Sequence, residues 1–194
     1  MKRQAIKAGG ATRYGRRWTA MCLCLCVLAA GMPAISGCAV PSRRPTPAAT
    51  VLAAMLSAVG AGWPQGGTYA LTAPSASREA LSPTLLSALY GEAARRWLTG
   101  DDPPVCDVAI FLSHTLHPAE LAVFRCSDGE ATGAVAAVCR ARLDTVARHW
   151  DGEDYTAWMT GATVTVKGNY VLVAVADDPT PLLRAAVAAI RDGG

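Results

Sequence analysis

Beyond the first fifty residues, apolar positions fall into short periodic segments separated by Gly, Pro and Asp clusters. Val51, Leu52, Met55, Leu56 and Val59 recur at helical spacing within Ala48 to Ala61, which predicts a first helix closed by Gly60 and Gly62. Trp63 to Ala80 is rich in Gly, Pro, Ser and Thr and reads as a long loop with a short extended piece around Thr68 to Leu71. Ser82 followed by Pro83 offers a cap and a first helical residue, and Leu85, Leu86, Leu89, Ala93 and Trp97 continue one face to about Thr99.

Asp101-Asp102-Pro103-Pro104 then breaks the chain before two expected strands, Val105 to Ser113 and Ala119 to Cys126. Ser127 and Glu130 have capping-box spacing and predict a long helix to about Trp150, with Val135, Val138, Cys139, Leu143 and Val146 on its apolar face. Ala162 to Lys167 and Tyr170 to Ala176 flank Gly168-Asn169, a two-residue hairpin turn. Pairing about that turn puts Val164 and Val166 on a core face with Val171, Val173 and Val175, and leaves Lys167 and Tyr170 on a half-polar face. A last helix, Pro181 to Arg191, takes its cap from Asp178 or Thr180.

The order α-α-β-β-α-β-β-α predicts an α+β domain. Two hairpins, about four strands, form its antiparallel sheet, with helices packed mainly on one face. At about 145 residues such a domain buries some two-thirds of its unfolded surface and needs neither metal nor disulfide to fold.

Composition changes this picture chiefly at the N-terminus. The 194 residues are 52% hydrophobic with a mean hydropathy of +0.24, but 38 of them are alanine. The net charge of +3 is equally deceptive. Six of the 18 basic residues lie in residues 1–37 with no acid, leaving 12 against all 15 acids, a net −3. A nucleic-acid footprint, which needs basic residues clustered on a folded face, is thereby excluded.

Residues 1–18 are polar and cationic. Thr19 to Ile35 is an apolar run broken by Gly31 and Pro33 before it could span a bilayer as a regular helix. This is signal-peptide architecture. It ends in Ile35-Ser36-Gly37-Cys38, which resembles the lipobox of bacterial lipoproteins. The resemblance implies cleavage between Gly37 and Cys38 and a diacylglyceryl lipid on Cys38. The expected organisation is a leader over 1–37, a lipidated Cys with a Pro/Arg-rich tether over 38–47, and one domain over 48–194. The membrane is then the first partner, held through the lipid on Cys38 on the extracytoplasmic face.

Several residues invite chemical readings. His114 and His117 lie three apart beside Glu120, a set from which a metal-dependent hydrolase could be built, although zinc usually takes three or four supported ligands. If Ser113 pairs with Ala119, Cys106 stands opposite Cys126, and the two either bridge or remain buried thiols. In the same register Asp107 faces Arg125 as an exposed pair. Asp177-Asp178 beside Pro179 reads as a helix entry rather than a carboxylate pair. No Gly-x-Ser-x-Gly, phosphate loop or HExxH pattern is present, so no catalytic residue, metal or cofactor is assigned.

Glu120 to Phe124, the capped helix after it, Tyr155 in its loop, and Val166-Lys167-Gly168-Asn169-Tyr170-Val171 followed by Asp177-Asp178 resemble a bacterial lipoprotein family, domain of unknown function 4358. The similarity runs roughly from Ala48 to Ile190. It implies a small exported lipoprotein of the kind typical of Firmicutes, and no particular chemistry. The expectation is therefore a lipid-anchored, non-enzymatic binding or assembly module of the cell envelope, contacting an envelope protein or ligand through Lys167 and Tyr170. The rival expectation is an extracytoplasmic metal-dependent hydrolase using His114, His117 and Glu120.

Overall fold

Three strands in this chain are apolar almost without alternation, and that pattern decides the architecture. In the computed structural model, which describes residues 44–71, 79–99, 101–114, 116–150 and 153–192, β3 (Val105–Ser113), β4 (Glu120–Cys126) and β6 (Tyr170–Val175) lie side by side. Strands buried on both faces read as continuous apolar runs. Flanking them are β1 (Gly66–Ala70) beside β3 and β5 (Thr163–Lys167) beside β6, and these five strands are antiparallel. A two-residue strand, β2 (Glu79–Ala80), adds in parallel to β1, giving the order β2-β1-β3-β4-β6-β5.

The α+β class is as expected, but the sheet has more strands than two hairpins supply, and helices cover both faces. On one face α2 (Pro83–Tyr90), a 3-10 turn over Glu92–Arg96 and α3 (Gly129–His149) pack on Val108, Ile110, Ala122, Phe124, Val171 and Val173. On the other, α1 (Ala48–Ser57) and α5 (Thr180–Asp192) pack on each other and on Ala109, Phe111, Leu121, Val123, Leu172 and Ala174. A short α4 (Thr156–Gly161) precedes β5. Both apolar layers lie within the compact unit Arg43–Gly194, which therefore holds everything its core needs to fold alone.

Local signals explain the boundaries. The Ser82 hydroxyl accepts the Leu85 N–H at 3.1 Å, as its cap position requires. The expected long second helix stops at Tyr90, because Gly91 adopts φ +84° and ψ 170°, a conformation almost restricted to glycine, and the chain resumes as a 3-10 turn. Helix α3 is capped one residue later than the Ser127/Glu130 spacing suggests: Asp128 Oδ1 accepts the Ala131 N–H at 2.8 Å. At the head of α5, Asp178 Oδ1 accepts the Thr180 N–H at 2.9 Å, so the helix-entry reading of that pair of acids is the observed one. Gly168 holds φ +55° in the β5–β6 turn.

Candidate functional site

The most buried charge cluster lies where α2, α3 and β4 meet. Glu120 begins β4 with its side chain on the α2/α3 face and is 3% exposed. Arg142 on α3 reaches it with Nε at 3.0 Å from both carboxylate oxygens and Nη2 at 2.6 Å from Oε2. The Tyr90 hydroxyl donates to Oε1 at 2.7 Å, and Arg142 Nη1 donates to the Leu89 carbonyl at 2.9 Å. The guanidinium carbon lies 5.3 Å from the Tyr90 ring centroid.

Burial first, then the Glu120 charge, hold the Tyr90 phenol well above its usual pKa, so it serves as a neutral donor. For Arg142, burial opposes the charge, but the adjacent Glu120 carboxylate outweighs it and holds the guanidinium above its ordinary value. A cleft of about 380 Å³ opens beside this pair between α2 and α3, lined by Leu89, Tyr90, Gly91, Val138, Arg142 and Thr145. The Glu120 carboxylate accepts four bonds from two side chains, so it is a brace holding three elements together rather than a free base.

A second feature occupies the end of the sheet that carries the β3–β4 connection. Rings follow one another from Phe111 to Trp63 (6.0 Å between centroids), Trp158 (5.3 Å), His117 (4.3 Å), Tyr155 (5.1 Å) and Trp150 (5.0 Å). The Tyr155 hydroxyl donates to the Leu116 carbonyl at 3.0 Å, while the Leu116 side chain is 87% exposed. His117 Nδ1 accepts the Ala119 N–H at 3.1 Å, which requires an unprotonated δ-nitrogen, and burial lowers its pKa.

The metal set of the rival reading is not brought together. Glu120 is engaged by Arg142 and Tyr90, His117 is stacked on Trp158 with its Nδ1 accepting, and His114 is exposed beside Gly67 of β1. Among the described residues, no three His, Cys, Asp or Glu side chains converge on a metal position.

The opposite end of the sheet is where the chain enters. Asp107, Arg125, Tyr170 and Lys167 form one row across β3, β4, β6 and β5. Asp107 faces Arg125 as expected, yet it is buried rather than exposed, with Oδ2 accepting the Ala48 N–H at 2.8 Å and Oδ1 accepting the Val108 N–H at 3.0 Å. Tyr170 is 6% exposed and its hydroxyl donates to the Thr46 carbonyl at 2.7 Å. It is therefore unavailable to a partner, and only Lys167 of the expected contact pair is exposed. A second helical layer, α1 and α5, covers the face on which Tyr170 and Leu172 lie.

The Cys106–Cys126 bridge is absent for a geometric reason. A bulge between Val105 and Asp107 puts Val105 opposite Cys126 and leaves Cys106 exposed; both thiols and that of Cys139 are free. From Asp107 to Leu112 the expected register holds.

No family model, curated protein or solved structure matches the chain.

Gly37 and Cys38, the expected cleavage and lipidation positions, lie outside the described residues. Among the described residues, no helix is long and apolar enough to cross a membrane. Sequence reasoning missed the Arg142 brace, although a signal existed. Val135, Cys139, Arg142 and Val146 are spaced four, three and four apart, so a cation occupies the apolar stripe of α3, where it needs a buried counter-charge.

Proposed function

We propose that this chain is an exported lipoprotein. Residues 1–37 are removed, Cys38 carries a diacylglyceryl group, and the folded domain is displayed on the outer face of the cytoplasmic membrane as a non-catalytic binding or assembly module. The observation that carries this reading is the seating of the last residues of the expected tether, where the folded domain begins. Thr46 is held at both ends, its hydroxyl donating to the Ala189 carbonyl at 3.2 Å and its own carbonyl accepting from Tyr170, while Asp107 holds Ala48.

Six peptide steps separate Cys38 from Arg44, a reach of roughly 20 Å at full extension. A lipid on Cys38 would keep the domain close to the bilayer, with the aromatic end and the exposed Leu116 at the other end of the sheet from the tether. The Ile35-Ser36-Gly37-Cys38 stretch, which resembles a lipobox, supports the same address. Two of the three side chains that a hydrolase would use, Glu120 and His117, are engaged in holding the fold, while His114 is exposed.

Intact-mass analysis of the chain isolated from membranes tests the anchor. The expected product begins at Cys38 and carries the mass of a diacylglyceryl group; a retained leader or an unmodified Cys38 overturns the proposal. For the module, a photo-crosslinking residue at Leu116 in intact cells should give a defined adduct that disappears in Trp158→Ala, whereas the same probe at Arg191, near the tether, should not.

A further inference from the structure

Strand β5 is the last in the sheet, and among the described residues no other strand pairs with its outer edge. The two-residue turn Gly168-Asn169 makes Lys167 and Tyr170 the closing hydrogen-bonded pair of the hairpin. The main-chain groups of Lys167, Thr165 and Thr163 therefore point inward to β6, and those of Val164 and Val166 point outward. The phase is independently fixed by the far side of β6, where Cys126 N–H donates to the Asn169 carbonyl at 2.8 Å. Val166 itself is 45% exposed, unusual for a large apolar side chain in a strand.

Natural sheets blunt such edges with short strands, prolines, bulges or inward charges. The β2 edge is two residues long. The β5 edge, Thr163-Val-Thr-Val-Lys167, carries none of those devices except a Lys at its end.

We propose that β5 pairs antiparallel with β5 of a second copy of this chain about a two-fold axis through Thr165, joining the two sheets into one. In that register Val164 faces Val166 of the other copy, Thr165 faces its own counterpart, and Thr163 faces Lys167. The outward N–H and C=O groups of Val164 and Val166 then make four reciprocal hydrogen bonds across the interface. Each Val166 packs on a Val164 on the same side of the joined sheet, which accounts for its exposure in the single chain. Charge selects the direction: a parallel alignment would set the two Lys167 ammonium groups side by side, whereas the antiparallel one separates them by the length of the strand. The inference stands apart from the lipid anchor, since it concerns the folded unit alone.

Light scattering on the Arg43–Gly194 unit, with reductant present so that the exposed Cys106 cannot link chains, measures the assembly directly. The expected mass at tens of micromolar is twice that of one chain. Val166→Pro removes only an outward donor and should give a monomer with an unchanged far-ultraviolet spectrum; Val166→Lys, which leaves the main chain intact, should do the same should the proline variant misfold. Thr165→Cys in a Cys106→Ser background should form an interchain disulfide on oxidation. A wild-type unit that stays monomeric at hundreds of micromolar, or a dimer that both Val166 variants leave intact, overturns the proposal.

Discussion

The carboxylate of Asp107, in the third strand of the sheet, accepts the backbone N–H of Ala48 at 2.8 Å, so the first helix of the domain is capped by a residue 59 positions further along the chain. Pro47, at the cap position itself, makes no side-chain bond to the helix. An orphan N–H at a helix start must find an acceptor, and a negative charge is favoured there by the helix dipole. The β-bulge at Cys106 immediately precedes Asp107 in the strand.

Replacing Asp107 with Ala should therefore cost on the order of 1–2 kcal/mol, in the range of a lost cap. The effect is local as well as global. Amide exchange in Ala48–Ser57 should accelerate more than exchange in α3, and Asp107→Asn, which keeps an acceptor, should fall between the wild type and Ala. Equal exchange rates in α1 for all three proteins would remove the capping role.

The Glu120–Arg142 pair sits in a setting where removing one partner strands the other. Arg142→Met should destabilise the domain by about 3–5 kcal/mol, because it leaves the buried Glu120 carboxyl without its partner and accepting only from Tyr90. The combined variant Glu120→Leu, Arg142→Met, Tyr90→Phe removes every polar side chain of the cluster and should be more stable than Arg142→Met alone. Denaturant midpoints for the set decide this. Additive losses, with the triple variant the least stable, would mean that the cluster stabilises through independent contacts rather than as a mutually dependent unit.

How far this architecture can be read from the chain depends on which residues are considered. The helix starts at Ser82 and before Thr180, the hairpin turn at Gly168, and the pairing from Asp107 to Leu112 all follow from local chemistry and appear where that chemistry puts them. The two-sided sheet was also written in the sequence, in the unbroken apolar runs Val108 to Leu112, Leu121 to Phe124 and Tyr170 to Val175, but alternation in β5 points to a single core face and hides it. Tyr170 illustrates the cost of that choice, since a phenol placed on a polar face is in fact packed under α1 with its hydroxyl on Thr46. Of strand β1 only the extended piece around Thr68 to Leu71 is legible, because Gly66 and Gly67 read as loop. A Cβ at Gly66 would collide with Leu112 and Phe111 of β3, so close approach of the two strands, not turn formation, explains that glycine. The bulge at Cys106 has no local signature and could not be read at all.

The three thiols of the domain should react in two classes. Cys106 is exposed, whereas Cys126 and Cys139 are buried. Burial pushes the Cys126 thiol up to about 11 and raises that of Cys139 further, with the Glu120 charge adding to the effect on Cys139. A disulfide-forming reagent at pH 8 should titrate one thiol rapidly and two more only after denaturant is added. Cys106→Ser should abolish the fast phase. A native protein with one free thiol would mean that Cys106 and Cys126 are bridged after all.

His117 gives the domain a predicted response to acid. Its imidazole is set edge to face against both Trp158 and Tyr155, its Nδ1 accepts from Ala119, and burial lowers its pKa below the usual value of about 6.5. The sign follows from proton counting. Above about pH 6.5 the ring is neutral folded and unfolded alike. As the pH falls from about 6.5 towards the depressed folded value, the unfolded chain binds the proton first and stability declines. Protonation of Nδ1 also forfeits the Ala119 bond, so the change should begin in the β3–β4 connection and α4. Fluorescence dominated by Trp158, Trp63 and Trp150 should shift with a midpoint below 6.5. His117→Asn, which keeps an acceptor at the δ position but cannot titrate, should flatten that response while the exposed His114 and His149 remain in place. An unchanged pH profile in His117→Asn would move the acid response to another group and leave His117 a purely structural acceptor.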